Sequence, residues 1–227
     1  MIFNNEGYAY PDYQKTDARL WKNLYFPGPA ERNQWETVLK LTRKRDFAID
    51  FGGHVGGSAL KFASQFKKVV SFEPVPALFE CLEENTKNND QIEIHNVGIS
   101  DIEGTATIWV NKQNPGSNVI ENHQTKTLIE SRWKNPRRKE QFDETQQIII
   151  NTRTIDSYEF EDVDFIKMDT EGYIMQPLYG MTETLKRCKP LLQIERSWEG
   201  GKSEQSNYLQ SLGYRYNTTI DQDDFFI

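Results

Sequence analysis

The sequence predicts an α/β domain built on a mainly parallel β-sheet of about seven strands with helices on both faces. Three observations predict it. Short apolar runs of strand length alternate with amphipathic stretches of helix length, which is the grammar of βαβ units. The first such run passes straight into a cluster of glycines and then into a helix pattern. Polar or acidic residues recur where the apolar runs stop, as they do when a ligand site occupies the carboxyl ends of parallel strands.

Residues 1–28 are rich in aromatics (Tyr8, Tyr10, Tyr13, Trp21, Tyr25, Phe26) without a sustained period and end at the breaker Phe26-Pro27-Gly28-Pro29. From Ala30 to about Lys44, Trp35, Val38, Leu39 and Thr42 recur at three and four, marking an amphipathic helix entered through Pro29. Residues 1–45 are therefore expected to form an N-terminal cap, and 46–227 the main domain. Phe47 to Phe51 is the first strand; Gly52, Gly53, Gly56 and Gly57 form a turn; Ala59, Leu60, Ala63 and Phe66 mark a helix face. Val69 to Phe72 is the second strand, ending at Glu73-Pro74, and Leu78, Phe79 and Leu82 pattern the next helix. The third strand is expected at Ile92 to Val97 and a further one at Thr105 to Val110. The polar, highly charged stretch around 111–147 reads as an insertion or lid. The α/β pattern resumes with Ile148 to Asn151 and with Val163 to Met168, which leads to Asp169-Thr170-Glu171-Gly172. Leu191 to Glu195 follows the Lys189-Pro190 break. A short helix (Tyr208, Leu209, Leu212) stops at Gly213, and Tyr214 to Ile227 can supply two closing strands around the acidic turn Asp221 to Asp224, the last of them antiparallel.

Composition narrows the function classes. With 27 basic and 34 acidic residues the net charge of -7 repels phosphate backbones at long range, so no nucleic-acid partner is expected. No run approaches the roughly 18 apolar residues of a membrane span, and Met1 to Tyr10 lacks the features of a targeting segment. No membrane association and a cytoplasmic location are the expectations. Cys81 and Cys188 fall in helical segments with no Cys or His at metal-ligand spacing nearby, so reduced structural thiols and no metal are expected.

The chemistry is expected at the strand ends. Glycines in the turn Asp50 to Gly57 let the backbone approach a ligand closely. Glu73, 23 positions beyond Asp50, has the spacing of a carboxylate that accepts both hydroxyls of a ribose. Together they point to an adenosine-containing cofactor. The turn lacks the G-x-G-x-x-G pattern that binds a pyrophosphate, since His54 stands where its second glycine would be. A carboxylate at Asp50 suits the ammonium or sulfonium side of S-adenosylmethionine (SAM) better than a diphosphate. Asp169 and Glu171 supply carboxylates beside the expected position of a reacting methyl group.

The stretch from Ile49 to about Glu195 resembles the FkbM-type family of SAM-dependent methyltransferases. The resemblance is carried by Asp50 to Gly56, Phe72-Glu73-Pro74, Ser100-Asp101 with Gly104, and Ile166-Lys167-Met168-Asp169-Thr170-Glu171-Gly172, in that order. His54 replaces the asparagine usual in the turn, and Ile174 stands where a further glutamate often follows. The resemblance implies a class I, Rossmann-like methyltransferase fold, SAM as cofactor, and O-methylation of a hydroxyl on a sugar or secondary metabolite, with a small molecule or glycan as acceptor. The expected cofactor residues are Asp50, Gly52, Gly53, His54, Val55, Gly56, Glu73 and Pro74, with Asn96, Val97, Gly98, Ser100 and Asp101 bordering the adenine; Asp169 and Glu171 are the expected catalytic residues. An NAD-dependent sugar-modifying enzyme and a non-catalytic module of the same fold are the alternatives. His123 reads as a surface residue, and the basic run Arg132, Lys134, Arg137, Arg138 and Lys139 as a solvated face.

Overall fold

The computed structural model describes residues 1–4, 7–12, 29–112, 115–123, 125–126, 129–130, 145–196 and 202–227. Tyr13, Trp21, Tyr25, the breaker at 26–28 and the basic run from Arg132 to Lys139 lie outside the described residues.

The main sheet has seven strands: β3 (Phe47–Phe51), β4 (Lys68–Phe72), β5 (Ile92–His95), β10 (Phe165–Met168), β11 (Leu191–Glu195), β12 (Tyr216–Ile220) and β13 (Asp223–Phe226). Their spatial order is β12-β13-β11-β10-β3-β4-β5. The pairs β5·β4, β4·β3, β3·β10 and β10·β11 are parallel, and β13 runs antiparallel between β11 and β12. The chain therefore reverses its direction of growth at β3 and β10, the topological switch point where open α/β sheets place their ligands.

Alternate residues of each strand feed the two faces. On one face Phe47, Ile49 and Phe51 of β3 join Met175 and Leu178 of α4 (Met175–Tyr179) and Leu185 of α5 (Thr182–Cys188). On the other, Ala48, Val69 and Phe165 meet Ala59 and Phe62 of α2 (Gly57–Ala63) and Val38 of α1 (Pro29–Leu41). Phe165 is fully buried between the rings of Phe62 and Phe66, at centroid distances of 5.2 and 5.8 Å. Burying a side chain of this size contributes about 1.5–3 kcal/mol. Helix α3 (Pro76–Thr86), entered through a proline in its first turn, covers β4 and β5 with Leu78, Cys81 and Leu82 buried. A longer helix than expected, α6 (Lys202–Ser211), precedes Gly213, whose φ of +87° the chain needs to turn into β12. Both cysteines are free and sit in helices, Cys81 in α3 and Cys188 at the end of α5.

The N-terminal ribbon β1 (Ile2–Phe3) and β2 (Ala9–Tyr10) docks on α3, where Ala9, Tyr8 and Tyr10 pack against the cluster of Leu78 and Cys81. Asn85 Oδ1 accepts the Ala9 N–H at 2.7 Å, and Asn85 Nδ2 donates to the carbonyls of Ala9 and Val55 at 2.9 and 2.8 Å. The ribbon is thereby tied to the glycine turn.

Two strand expectations need correction. The third strand stops at His95, and the following Gly98–Ile99 (β6) joins a second sheet. That sheet has the order β6-β9-β7-β8, with β7 (Gly104–Asn111), β8 (Val119–Ile120) and β9 (Thr145–Arg153). Ile148 to Asn151 therefore belongs to an antiparallel ladder with β7, with Ile108 opposite Ile148 and Ala106 opposite Ile150, rather than to the parallel sheet. The reason is alternation. Ile150 is buried while Ile149 is 76% exposed, the pattern of a strand with one wet face, whereas the parallel strands are apolar on both. Among the described residues no helix is long and apolar enough to cross a membrane.

Candidate active site

A pocket of about 240 Å³ opens at the carboxyl ends of β3, β4 and β10. Its walls come from the glycine turn (Gly52, Gly53, His54, Gly57, Ser58), the end of β4 (Phe72, Glu73, Pro74), Leu78 of α3, the β6 segment (Val97, Gly98, Ile99) and the β10 loop (Lys167, Asp169, Thr170, Glu171). The second sheet closes one side with Ile108 and Ile120, and the connection between β7 and β8 adds Gly116 and Asn118.

The turn is shaped by its glycines. Gly52 has φ +81°, and a Cβ there would meet the Asp169 carbonyl oxygen at 2.2 Å. The turn and the β10 loop thus touch backbone to backbone, and a larger residue would wedge them apart. Gly52 N–H and Gly53 N–H both donate to the Phe72 carbonyl at 3.0 Å, Gly56 N–H to Gly53 at 2.8 Å, and His54 N–H to Glu73 Oε2 at 2.9 Å. The hydrogen-bonding capacity of these four amides is spent inside the protein.

Glu73 is 4% exposed. Its Oε1 accepts the Val75 N–H at 2.8 Å, so each carboxylate oxygen holds one backbone donor and keeps a lone pair. Burial pushes its pKa up to about 8 against the lowering effect of those two N–H bonds. His54, itself in the left-handed region at φ +50°, has a buried Nε2 with no hydrogen-bond partner. Burial lowers its pKa to about 4, so the imidazole is neutral at physiological pH.

On the opposite wall Asp169 takes the Lys167 ammonium on Oδ2 at 2.6 Å; the lysine side chain is 15% exposed and the aspartate 44%. Desolvation would raise the Asp169 carboxyl, but Lys167 outweighs it and holds the group below the usual carboxylate range. Desolvation would likewise lower Lys167, yet Asp169, Asp50 and Asp223 together raise it. Glu171 stands at φ +47°, a conformation a glutamate rarely adopts, in the turn between β10 and α4.

Several expected residues stand behind the pocket wall. Asp50 is fully buried on β3, where Oδ2 accepts the Ser71 hydroxyl at 3.1 Å and Oδ1 has no hydrogen-bond partner; burial raises its pKa to about 6. Its strand position places it beside Ser71, with Lys167 at the paired position of the neighbouring strand. Val55 and Gly56 also sit behind the wall, packed against α3, and Asn96 uses Nδ2 to bond the Glu73 carbonyl at 2.8 Å. Ser100 is buried, with Oγ 2.7 Å from the Tyr173 hydroxyl and 3.0 Å from Asp101 Oδ1, a contact that braces the β10–α4 turn. His123 is exposed and off the pocket wall. Sequence reasoning missed Lys167 as a pocket residue, and with it Ile108, Gly116, Asn118 and Ile120. The lysine lay inside a quoted motif, and Gly116 and Asn118 lie in the loop Pro115-Gly116-Ser117-Asn118, which also fits the family resemblance; Ile108 and Ile120 carry no local signal, because β7 and β8 reach the pocket only by folding back. Among the described residues no group of three or more His, Cys, Asp or Glu is arranged to hold a metal ion.

Residues 50–216 match the family model described as the methyltransferase FkbM domain. None of the curated proteins matches the chain. Among solved structures the chain is similar to methyltransferase FkbM from Methylobacillus flagellatus KT, with a TM-score of 0.55 and 19% identity. That match covers 91% of this chain and 48% of the other, so the chain spans about half the length of that protein. It is also similar to precorrin 8w decarboxylase from Methanobacterium thermoautotrophicum (TM-score 0.49, 13% identity, 100% of this chain and 94% of that one). A SAM-dependent methyltransferase from Aquifex aeolicus aligns with a TM-score of 0.44 and 14% identity over 90% of this chain and 89% of that one.

Proposed function

Because this chain belongs to the FkbM methyltransferase family, we propose that it transfers the methyl group of SAM to a hydroxyl oxygen of a small molecule or glycan. Its doubly covered sheet with the antiparallel strand β13 is the class I, Rossmann-like fold of SAM-dependent methyltransferases.

The observation that carries the choice of cofactor is the glycine turn. The N–H groups of Gly52, Gly53, His54 and Gly56 are already engaged inside the protein, so these four are not offered to a pyrophosphate. This argues against an NAD site. What remains is one carboxylate, Glu73, beside an apolar slot formed by Phe72, Leu78, Val97 and Ile99, which fits a ribose and an adenine. A non-catalytic module would have that slot filled by its own side chains.

Glu73 would accept the ribose hydroxyls on its remaining lone pairs, and the apolar side chains would flank the adenine. Neutral His54, with its unpartnered Nε2, would take a hydrogen bond at the methionine end. Bound SAM supplies a methyl group on a sulfonium sulfur, which leaves as S-adenosylhomocysteine (SAH) once the C–S bond has given way to a C–O bond. The chain contributes alignment, which is most of what a direct displacement needs. It also contributes a carboxylate on the facing wall, Asp169 or Glu171, to take the hydroxyl proton as the new bond forms. A sugar or secondary metabolite is the acceptor class we assign.

Isothermal titration with SAH, and with NAD in parallel, tests this reading. Micromolar or tighter binding of SAH alone supports it; tight NAD binding without a response to SAH would overturn it.

A further inference from the structure

We propose that Asn85, near the end of α3, is a positioning residue of the cofactor site: its carboxamide grips the N-terminal ribbon and the crown of the glycine turn together, and so holds the turn in the shape that presents Glu73 to the ribose. The ribbon thereby becomes a functional part of the site. The inference rests on the methyltransferase reading above and goes further, because neither Asn85 nor Ala9 lines the pocket.

Helix α3 presents Leu78, Cys81 and Leu82 as a buried stripe, and Asn85 continues it one turn beyond Cys81. An apolar side chain would extend that stripe, whereas asparagine is a weak helix former whose amide competes with the helix's own hydrogen bonds. Here the amide is employed elsewhere. Oδ1 accepts the Ala9 N–H at 2.7 Å, and Nδ2 donates to the carbonyls of Ala9 and Val55 at 2.9 and 2.8 Å. Reversed, the amide would set donor against donor and oxygen against oxygen, so its partners fix its orientation. Toward Ala9 it behaves as a neighbouring strand would, giving one donor and one acceptor to a single residue's backbone. The ribbon needs such a partner: β1 and β2 share only the pairs Ile2 with Tyr10 and Phe3 with Ala9, too few to stand alone in water.

The bond to Val55 reaches the turn where its backbone is least self-supporting. Val55 stands between His54 at φ +50° and Gly56 at φ +98°, both left-handed. A residue other than glycine keeps such a conformation only where its surroundings over-determine it. They do so from three sides: His54 N–H donates to Glu73 Oε2 at 2.9 Å, Gly56 N–H donates to the Gly53 carbonyl at 2.8 Å, and Asn85 Nδ2 donates to the Val55 carbonyl. The peptide unit joining Val55 to Gly56 thus has both polar groups engaged. The same helix lies flush on the turn, since a Cβ at Gly56 would meet Leu82 at 3.0 Å and Thr86 at 3.2 Å. At its other end α3 starts just after Val75, whose N–H holds Glu73 Oε1 at 2.8 Å. One helix therefore fixes both carboxylate oxygens of Glu73, through Val75 at its start and by way of Asn85, Val55 and His54 at its end. Without Asn85 the segment from His54 to Gly56 can relax out of its left-handed turn, and the N–H that orients Glu73 moves with it. Coupling of this kind is reciprocal, so a ligand that fastens Glu73 and the turn also steadies the ribbon.

Amide hydrogen exchange followed by NMR, together with calorimetric titration of SAH, tests this on the full chain in wild type, Asn85→Ala and Asn85→Asp. The aspartate keeps the shape of the side chain but sets a carboxylate oxygen against the Val55 carbonyl, which breaks the link while preserving packing. In both variants SAH affinity should fall about tenfold or more. The His54 and Gly56 amides should exchange faster, while those of β3 keep the wild-type rate. In wild type, saturating SAH should slow exchange of the Ala9 amide, which lies off the pocket wall. Folded variants that melt at a lower temperature yet keep the wild-type affinity would show a merely structural asparagine and overturn the proposal, as would His54 and Gly56 amides untouched by either change. If neither variant folds, the wild-type Ala9 amide decides: slowed by SAH it supports the link, indifferent to SAH it refutes it. Failure of wild type to bind SAH would sink the methyltransferase reading, and exchange at His54 and Gly56 in the variants would still decide whether Asn85 fixes the turn.

Discussion

Replacing Glu73 by glutamine should weaken SAH binding by roughly a hundredfold. The carboxylate holds His54 N–H on Oε2 and Val75 N–H on Oε1, and offers its remaining lone pairs to the two ribose hydroxyls. A glutamine has one acceptor oxygen. Its NH2 group faces a backbone N–H donor against donor, and at most one ribose hydroxyl keeps an acceptor, now neutral. The loss of charge-assisted bonding is about 2–3 kcal/mol. The wild type supplies a second, independent signature. Free Glu73 has a pKa of about 8, raised by burial, while hydroxyl donors favour its ionised form. Below that pH the proton must leave before the ribose can bind. SAH affinity should therefore rise about tenfold per pH unit from pH 6 toward 8 and level off above. Calorimetry in buffers of different ionisation enthalpy would register the proton released. In Glu73→Gln both the slope and the proton release should vanish. Unchanged affinity in that variant, or a wild-type affinity that falls as pH rises, would refute the assignment of Glu73 to the ribose.

Folding stability should decline from about pH 6.5 to 9, by up to about 1.4 kcal/mol per pH unit for each group concerned. Glu73 and Glu195 have folded-state pKa values of about 8 and about 9, above their unfolded value, so the native chain binds protons the unfolded chain has released. His54, lowered by burial to about 4, acts in the opposite sense below that window, where the unfolded chain takes up its proton. Urea denaturation across the range checks this, and a flat or rising profile would contradict the burial of these carboxyls. Gly52→Ala should destabilise by more than about 1–3 kcal/mol, because φ +81° and the Asp169 carbonyl at 2.2 Å both oppose a Cβ. Gly104→Ala, whose Cβ meets nothing within 4 Å, is the control in the same thermal melts. Ser100→Ala should cost about 1–3 kcal/mol by stranding the buried Tyr173 hydroxyl, while SAH affinity holds. A large loss of SAH affinity without loss of stability would return Ser100 to the adenine site.

The strand, glycine turn and helix from Phe47 to Ala63, Glu73 at the end of β4, and Asp169 with Glu171 after β10 were legible in the sequence because each is a local pattern. An apolar run reports a buried strand, a glycine cluster reports a turn a Cβ would block, and a carboxylate after a strand reports a polar strand end. Those patterns were enough to expect a mainly parallel sheet, and the motifs they carry resemble the FkbM family; the switch point between β3 and β10 came only with the strand order. Local pattern carries no information about which strand lies beside which. The pairing of β7 with β9 across the insertion set Ile148 to Asn151 in a second sheet, against the sequence reading, and brought Ile108 and Ile120 to the pocket. Ser100 found Tyr173 across 73 residues. Asp50, Lys167 and Gln193 became one row because the sheet orders β3, β10 and β11 side by side, although more than a hundred residues separate the first two. Protonation follows from those neighbours and not from the residue type. Lys167 holds the Asp169 carboxyl low while burial pushes Glu73 up, and both neighbour and burial are properties of the packed chain.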